Sequence, residues 1–135
     1  MEKLIVAKFG GSAIGIDGQG LPIILERIKQ LKEDSKVITV CSAPLTTIDG
    51  KKTSLTDVML NLGNKASKGD EYNIEIIAKS YVKILQMIND DYKEKCQIMI
   101  NEMLDLASES LEDAKKLGKF EDEIRAKALA HSGEV

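Results

Sequence analysis

Two apolar runs flank an amphipathic stretch within residues 1–41, and this arrangement restricts the fold more than any other feature of the sequence. Leu4-Ile5-Val6-Ala7 leads into Lys8-Phe9, and Val37-Ile38-Thr39-Val40-Cys41 forms the second run. The first run does not alternate with polar residues, the pattern of a strand covered on both faces in a parallel sheet. From Pro22 onward Ile24, Leu25, Ile28 and Leu31 fall at helical spacing, with Lys29, Gln30, Lys32, Glu33 and Asp34 on the wet side. Pro22 suits a first helical turn. The three segments predict a right-handed βαβ unit with parallel strands. Both strands would then finish at one edge, bringing Lys8–Ser12 near Ser42–Pro44.

That edge is where open α/β sheets bind ligands. Lys8 would stand at its strand end, where an ammonium reaches an anion. Gly10 and Gly11 would let backbone amides approach the same anion without an intervening Cβ. Gly10, Gly11, Gly15, Gly18 and Gly20 together predict a loose loop over 10–20. A plain turn beside a lysine that snorkels to water would give the same letters. The stretch is neither a Gly-x4-Gly-Lys-[Ser/Thr] loop nor a GxGxxG loop.

Composition narrows the rest. A chain of 135 residues, 43% hydrophobic and 30% charged, suits one globular domain with a modest core. The net charge of −3 gives no broad basic field for nucleic acid, and 4% aromatics without Trp offers no base-stacking surface. Cys41 and Cys96 form no CxxC pair, so neither a disulfide framework nor a zinc site is expected, and a reducing cytoplasm fits. No signal peptide and no membrane-spanning run is read in the sequence.

Residues 54–130 read as almost wholly helical. Ser54-x-x-Asp57 has the form of a capping box, followed by Val58, Met59 and Leu62 facing inward as far as Gly63. Asp70 is expected to cap a helix carrying Ile74, Ile77, Ala78, Tyr81, Leu85 and Ile88. The stripe resumes through Tyr92, Cys96, Met99, Ile100, Met103, Leu104 and Ala107. Ser110 is expected to cap a last helix with Leu111, Ala114 and Leu117, interrupted by Gly118, with Phe120, Ile124 and Leu129 beyond. Such stripes mean packed core, with Met99 and Met103 filling gaps. Glu121-Asp122-Glu123 reads as a solvated face, and His131, the lone histidine, as a bystander beside Gly133-Glu134.

Four landmarks in order resemble the aspartate kinases of the amino acid kinase superfamily: "KFGGS" after the first strand, "CSA" ending the second, "TDVML" at 56–60, and "HSGEV" at 131–135. The resemblance implies an α/β fold: a partial amino acid kinase fold with a short parallel sheet covered by helices and a mostly helical C-terminal half. It implies a single domain over 1–135, with a helical insertion at about 54–130. It implies transfer of the ATP γ-phosphoryl group to the β-carboxylate of L-aspartate. Lys8 would be the catalytic lysine on the phosphate oxygens, with the amides around Gly10 and Gly11 and the Ser12 hydroxyl beside it. Ser42, Thr56 and Glu134 would bind aspartate, Glu134 by pairing with its ammonium group. ATP and Mg2+ are the implied cofactors. Two departures stand out: Ala13 replaces a usual hydroxyl or other small residue, and 43–55 is longer and more polar than the family's link.

In the resemblance a nucleotide-binding half follows the Gly-Glu segment, and 1–135 does not include it. The expectation is an aspartate-binding N-terminal lobe, inactive alone, working with a separate chain that carries that half. A non-catalytic amino-acid-binding or regulatory relative is the alternative. A sheet with so few strands leaves bare edges, which predicts a homo-oligomer or such a heteromer.

Overall fold

The computed structural model describes residues 3–132. The chain opens with β1 (Leu4–Phe9), a one-turn helix α1 (Gly11–Ile14), helix α2 (Leu21–Lys32) and strand β2 (Lys36–Cys41). Strands β1 and β2 pair in parallel, with Leu4 opposite Lys36 and Phe9 opposite Cys41. The Ser42 amide extends the ladder by donating to the Phe9 carbonyl at 2.9 Å. The expected parallel pairing is therefore present, and both strands finish at one edge.

Coverage of this two-stranded sheet differs from expectation. Ile5, Ala7, Phe9 and Val37 are half-buried on the face against α2. Leu4, Val6, Ile38 and Val40 alternate to the other face and are 60%, 64%, 50% and 43% exposed. Two apolar faces need two covering layers; the described residues supply one.

Residues 10–20 are not a loose loop. Ile14 is buried, Ile16 bridges Leu45 in parallel, and the Asp17 amide donates to the Leu45 carbonyl at 2.7 Å. Their partner is a hairpin of β3 (Leu45–Ile48) and β4 (Lys51–Ser54), antiparallel, in what the sequence offered only as a long polar link. Asp49 and Gly50 turn it with φ of 48° and 76°. This Asp-Gly turn between β-forming residues matches the twist of flanking strands.

Helix α3 (Leu55–Lys68) starts as the capping pattern predicts, the Ser54 hydroxyl accepting from the Asp57 amide at 3.0 Å. It does not stop at Gly63 but runs on to a left-handed Gly69. Helix α4 (Glu75–Gln86) is not capped by Asp70; Asn73 Oδ1 accepts from the Glu75 amide at 2.8 Å. Helix α5 (Asp90–Leu117) is one unbroken helix of 28 residues, capped at Asn89. Ser110 therefore lies in its interior, where its hydroxyl bonds back to the Leu106 carbonyl at 2.9 Å. Gly118 ends α5 in the left-handed region, and α6 (Asp122–Ala130) folds back.

The core lies among α3, α4, α5 and α6: Leu55, Met59, Ile77 and Leu111 are fully buried, with Met103, Ala107, Phe120 and Ala128 around them. The stripes at Ile77, Tyr81, Leu85 and Met103 are core as expected, whereas Met99 and Leu117 are exposed. Both cysteines are free thiols. Among the described residues no helix is long and apolar enough to cross a membrane.

Gly63 explains how α3 approaches the segment after α5. A Cβ at this position would lie 2.2 Å from the Phe120 ring, so the ring occupies the space a side chain would need. Gly63→Ala should cost about 1–3 kcal/mol through overpacking. Urea denaturation should show that loss shrinking in a Phe120→Leu background, because the smaller side chain yields the space. Equal losses in both backgrounds would contradict this packing.

Candidate functional site

The carboxyl edge of the β1–β2 pair gathers most of the residues singled out by sequence. Lys8 lies opposite Val40, one step before the end of β1, and its side chain is exposed. Among the described residues it makes no ion pair and no side-chain hydrogen bond. Gly10 caps α1, its carbonyl accepting from the Ala13 and Ile14 amides at 2.9 and 3.1 Å. The amides of the first helical residues, Gly11 and Ser12, have no acceptor within a helix of this kind. Ser12 is exposed, with its hydroxyl free to meet solvent or a ligand.

The second strand is drawn tightly against this turn. A Cβ on Gly11 would stand 2.9 Å from the Ala43 carbonyl oxygen, so the close approach of the two strand-end segments depends on glycine at that position. Ser42 lies beside Phe9, whose carbonyl accepts from the Ser42 amide, and Ala43 and Pro44 are buried. The Leu55 amide donates to the Pro44 carbonyl at 3.1 Å, which sets the start of α3 next to the end of β2. Thr56, half-buried, is the following residue, at the exposed amide end of α3. Gly10, Gly11, Ser12, Ser42 and Thr56 thus belong to connected segments, with Lys8 on the adjoining strand. Glu134 lies outside the described residues.

A buried carboxylate that sequence reading passed over holds this arrangement from behind. Asp17 sits in the left-handed region at φ 50°, and its Oδ1 accepts from Ser80 at 2.9 Å and Thr46 at 3.2 Å. Its Oδ2 takes the Lys83 ammonium at 2.5 Å. One side chain therefore ties the glycine segment to the β3–β4 hairpin and to α4. Burial by itself pushes the Asp17 carboxyl up; the bonds from Lys83 and Ser80, the Lys83 charge and the Thr46 bond outweigh it and hold the group below 3.8. An Asp amid glycines reads in the sequence only as a turn residue; its left-handed backbone and its three donors appear only in the fold.

Elsewhere a wide, mixed-charge cleft of about 760 Å³ is lined by Lys65, Asp70, Tyr72, Glu112 and Lys115 among others. Within it the Tyr72 hydroxyl donates to Glu112, and burial together with that carboxylate pushes the phenol up to about 12. None of the strand-edge residues lines it. The edge is the better candidate on chemistry, since an unpaired ammonium, free amides and hydroxyls lie on adjoining segments there, whereas the charged groups of the cleft are mixed in sign and Tyr72 is already paired with Glu112.

The family model described as the amino acid kinase family matches residues 3–132. The chain belongs to the amino acid kinase family. No curated protein and no solved structure matched it. The mixed fold, with its short parallel sheet followed by helices, is consistent with part of the amino acid kinase fold. Among the described residues no group of three or more carboxylate, His or Cys side chains could hold a metal ion.

Asp17 makes the site's support sensitive to acid. Its carboxyl titrates lower in the folded chain than in the unfolded one, so its contribution is complete above the unfolded value near 3.8 and disappears as pH falls through the lower folded value. Asp17→Asn should lose about 1–3 kcal/mol near neutral pH. In urea titrations the wild type should lose stability below 3.8 more steeply than the variant; parallel curves would show that Asp17 carries no such load.

Proposed function

We propose that this chain is the aspartate-binding N-terminal lobe of an aspartate kinase. The reaction passes the ATP γ-phosphoryl group to a β-carboxylate oxygen of L-aspartate. A P–O bond to the carboxylate forms as the bond to the β-phosphate oxygen breaks, and ADP leaves with the electron pair. Such transfer needs alignment and charge neutralisation more than covalent help. The observation that carries the reading is the unpaired Lys8 ammonium beside the Gly10-Gly11-Ser12 turn, at the strand edge of an amino acid kinase family chain.

In this reading Lys8 draws charge from the phosphoryl oxygens, and the Gly11 and Ser12 amides, fixed by α1, add dipoles that need not reorganise. Ser42 and Thr56 hold the aspartate carboxylates, and Glu134 pairs with its ammonium group. The choice of aspartate rests on the Lys-Phe-Gly-Gly-Ser sequence, which resembles aspartate kinases rather than other members of the superfamily. ATP, with its Mg2+, is bound chiefly by further polypeptide. The open sheet face of Leu4, Val6, Ile38 and Val40 supports this, because a parallel sheet is covered on both sides when complete. The same face and the open strand edges favour a second copy or a complementary chain as neighbour.

Calorimetric titration tests the pocket. L-aspartate should bind at millimolar concentration or better, and Thr56→Val should weaken it about tenfold through one lost hydrogen bond. A folded sample giving no heat with aspartate would end the assignment. A hydroxamate assay with ATP and aspartate should give little product from the chain alone. Lys8→Ala should abolish product in the presence of the complementary nucleotide-binding polypeptide. Sedimentation should show an associated species that Ile38→Lys disperses, by placing a charge on the exposed sheet face. A wild-type monomer at high concentration would contradict the neighbour.

A further inference from the structure

Helix α5 is 28 residues long, and its two halves are covered unequally. Its buried residues, Met103, Ala107, Ser110, Leu111 and Ala114, all lie in the C-terminal half. From Asp90 to Glu102 no residue is buried, although this half carries Tyr92, Ile98 and Met99. Tyr92, Met99 and Leu106 recur at every seventh position, which lines them up as one stripe along the helix. They are 63%, 49% and 37% exposed. A helix draws most of its stability from an apolar face that packs, and this stripe faces solvent.

The charges beside the stripe define what fits it. Lys95 stands three residues after Tyr92, and Glu102 three after Met99, so both lie on the same flank, two turns apart. Both are exposed, and among the described residues neither makes an ion pair or a side-chain hydrogen bond. A second α5 laid antiparallel, with the two helices crossing at Met99, sets Tyr92 against Leu106 of the second copy and Leu106 against its Tyr92. A two-fold axis across antiparallel helices keeps like flanks together. It therefore brings Lys95 beside Glu102 of the second copy, and Glu102 beside its Lys95. Parallel pairing would instead oppose lysine to lysine and glutamate to glutamate. The face is its own complement in the antiparallel orientation, the condition for a closed, isologous pair. We propose that the stripe of Tyr92, Met99 and Leu106 is a homodimer interface, packed antiparallel on α5 of a second copy and held in register by two Lys95–Glu102 ion pairs. This interface is separate from the open sheet face and independent of the kinase reading.

The test is sedimentation equilibrium of the full chain carrying Ile38→Lys, which takes apart the sheet-face contact and leaves α5 untouched. This protein should still dimerise, with dissociation at about 10–100 µM, as suits a small contact. Lys95→Glu and Glu102→Lys should each weaken the dimer about tenfold by setting like charges opposite. The two exchanges combined should restore it, because both pairs return with reversed sign. Met99→Lys should leave a monomer, since it places two ammonium groups at the two-fold axis. These positions are exposed, so circular dichroism should show unchanged helix content in every variant. A monomer up to about 1 mM overturns the proposal and leaves the stripe to some other partner. It is likewise overturned if the single exchanges leave the dimer as it was, which would mean parallel packing or another face, if the combined exchange fails to restore it, or if Met99→Lys still dimerises.

Discussion

Asp17 is the point on which the two parts of the molecule depend. The N-terminal strands and the helical remainder share few direct contacts, yet the Asp17 carboxylate receives Thr46 from the hairpin and both Ser80 and Lys83 from α4. Three donors converging on one buried acceptor satisfy a charge that would otherwise be expensive to desolvate. Gly18, the next residue, is buried so closely against Ile84 and Met87 that a Cβ would stand 2.8 Å from the Ile84 side chain. The glycine segment therefore does not hang from β1; it is pinned at its far end, and the amides of α1 are held between two fixed points. Under the proposed function this would favour binding, because orientation fixed during folding need not be acquired on meeting a ligand.

Much of this was legible in the letters. The parallel strands, the intervening helix, the Ser54 cap and the largely helical character of 54–130 follow from unbroken β-branched runs and from apolar spacing, signals that local chemistry enforces. The misread elements share a different character. Asp70 and Ser110 have the right type for caps, but the choice among neighbouring candidates was made by tertiary packing: Asn73 takes the α4 start, and continuous burial of Ala107, Leu111 and Ala114 carries α5 straight through Ser110. Gly63 punctuates a helix in isolation, whereas here it makes room for Phe120, a residue far along the chain. The hairpin was readable from Asp49-Gly50 and was hidden by reading the segment as an insertion in a family link. Asp17 was not readable, since a buried carboxylate is recognised only once its donors, 29, 63 and 66 residues away, are in place.

The site shows the same division. Sequence order predicts which segments meet at the strand edge, because parallel pairing leaves no other arrangement. It does not predict how tightly they meet. That depends on Gly11 against the Ala43 carbonyl and on the Leu55–Pro44 bond, both contacts between segments of different elements.

The exposed sheet face and the strand edge are two consequences of one geometry. Side chains alternate along β1, so the face that carries Lys8 also carries Leu4 and Val6, and β2 adds Ile38 and Val40 in register. Whatever covers these four apolar residues must end close to the Lys8 ammonium. Covering them would remove water from one flank of that charge and strengthen its pull on an anion, since the same interaction is worth several times more outside bulk water. Burial of the face and the strength of the Lys8 charge are therefore coupled. A neighbour that completed the sheet would supply more than stability: it would set the dielectric around the Lys8 ammonium.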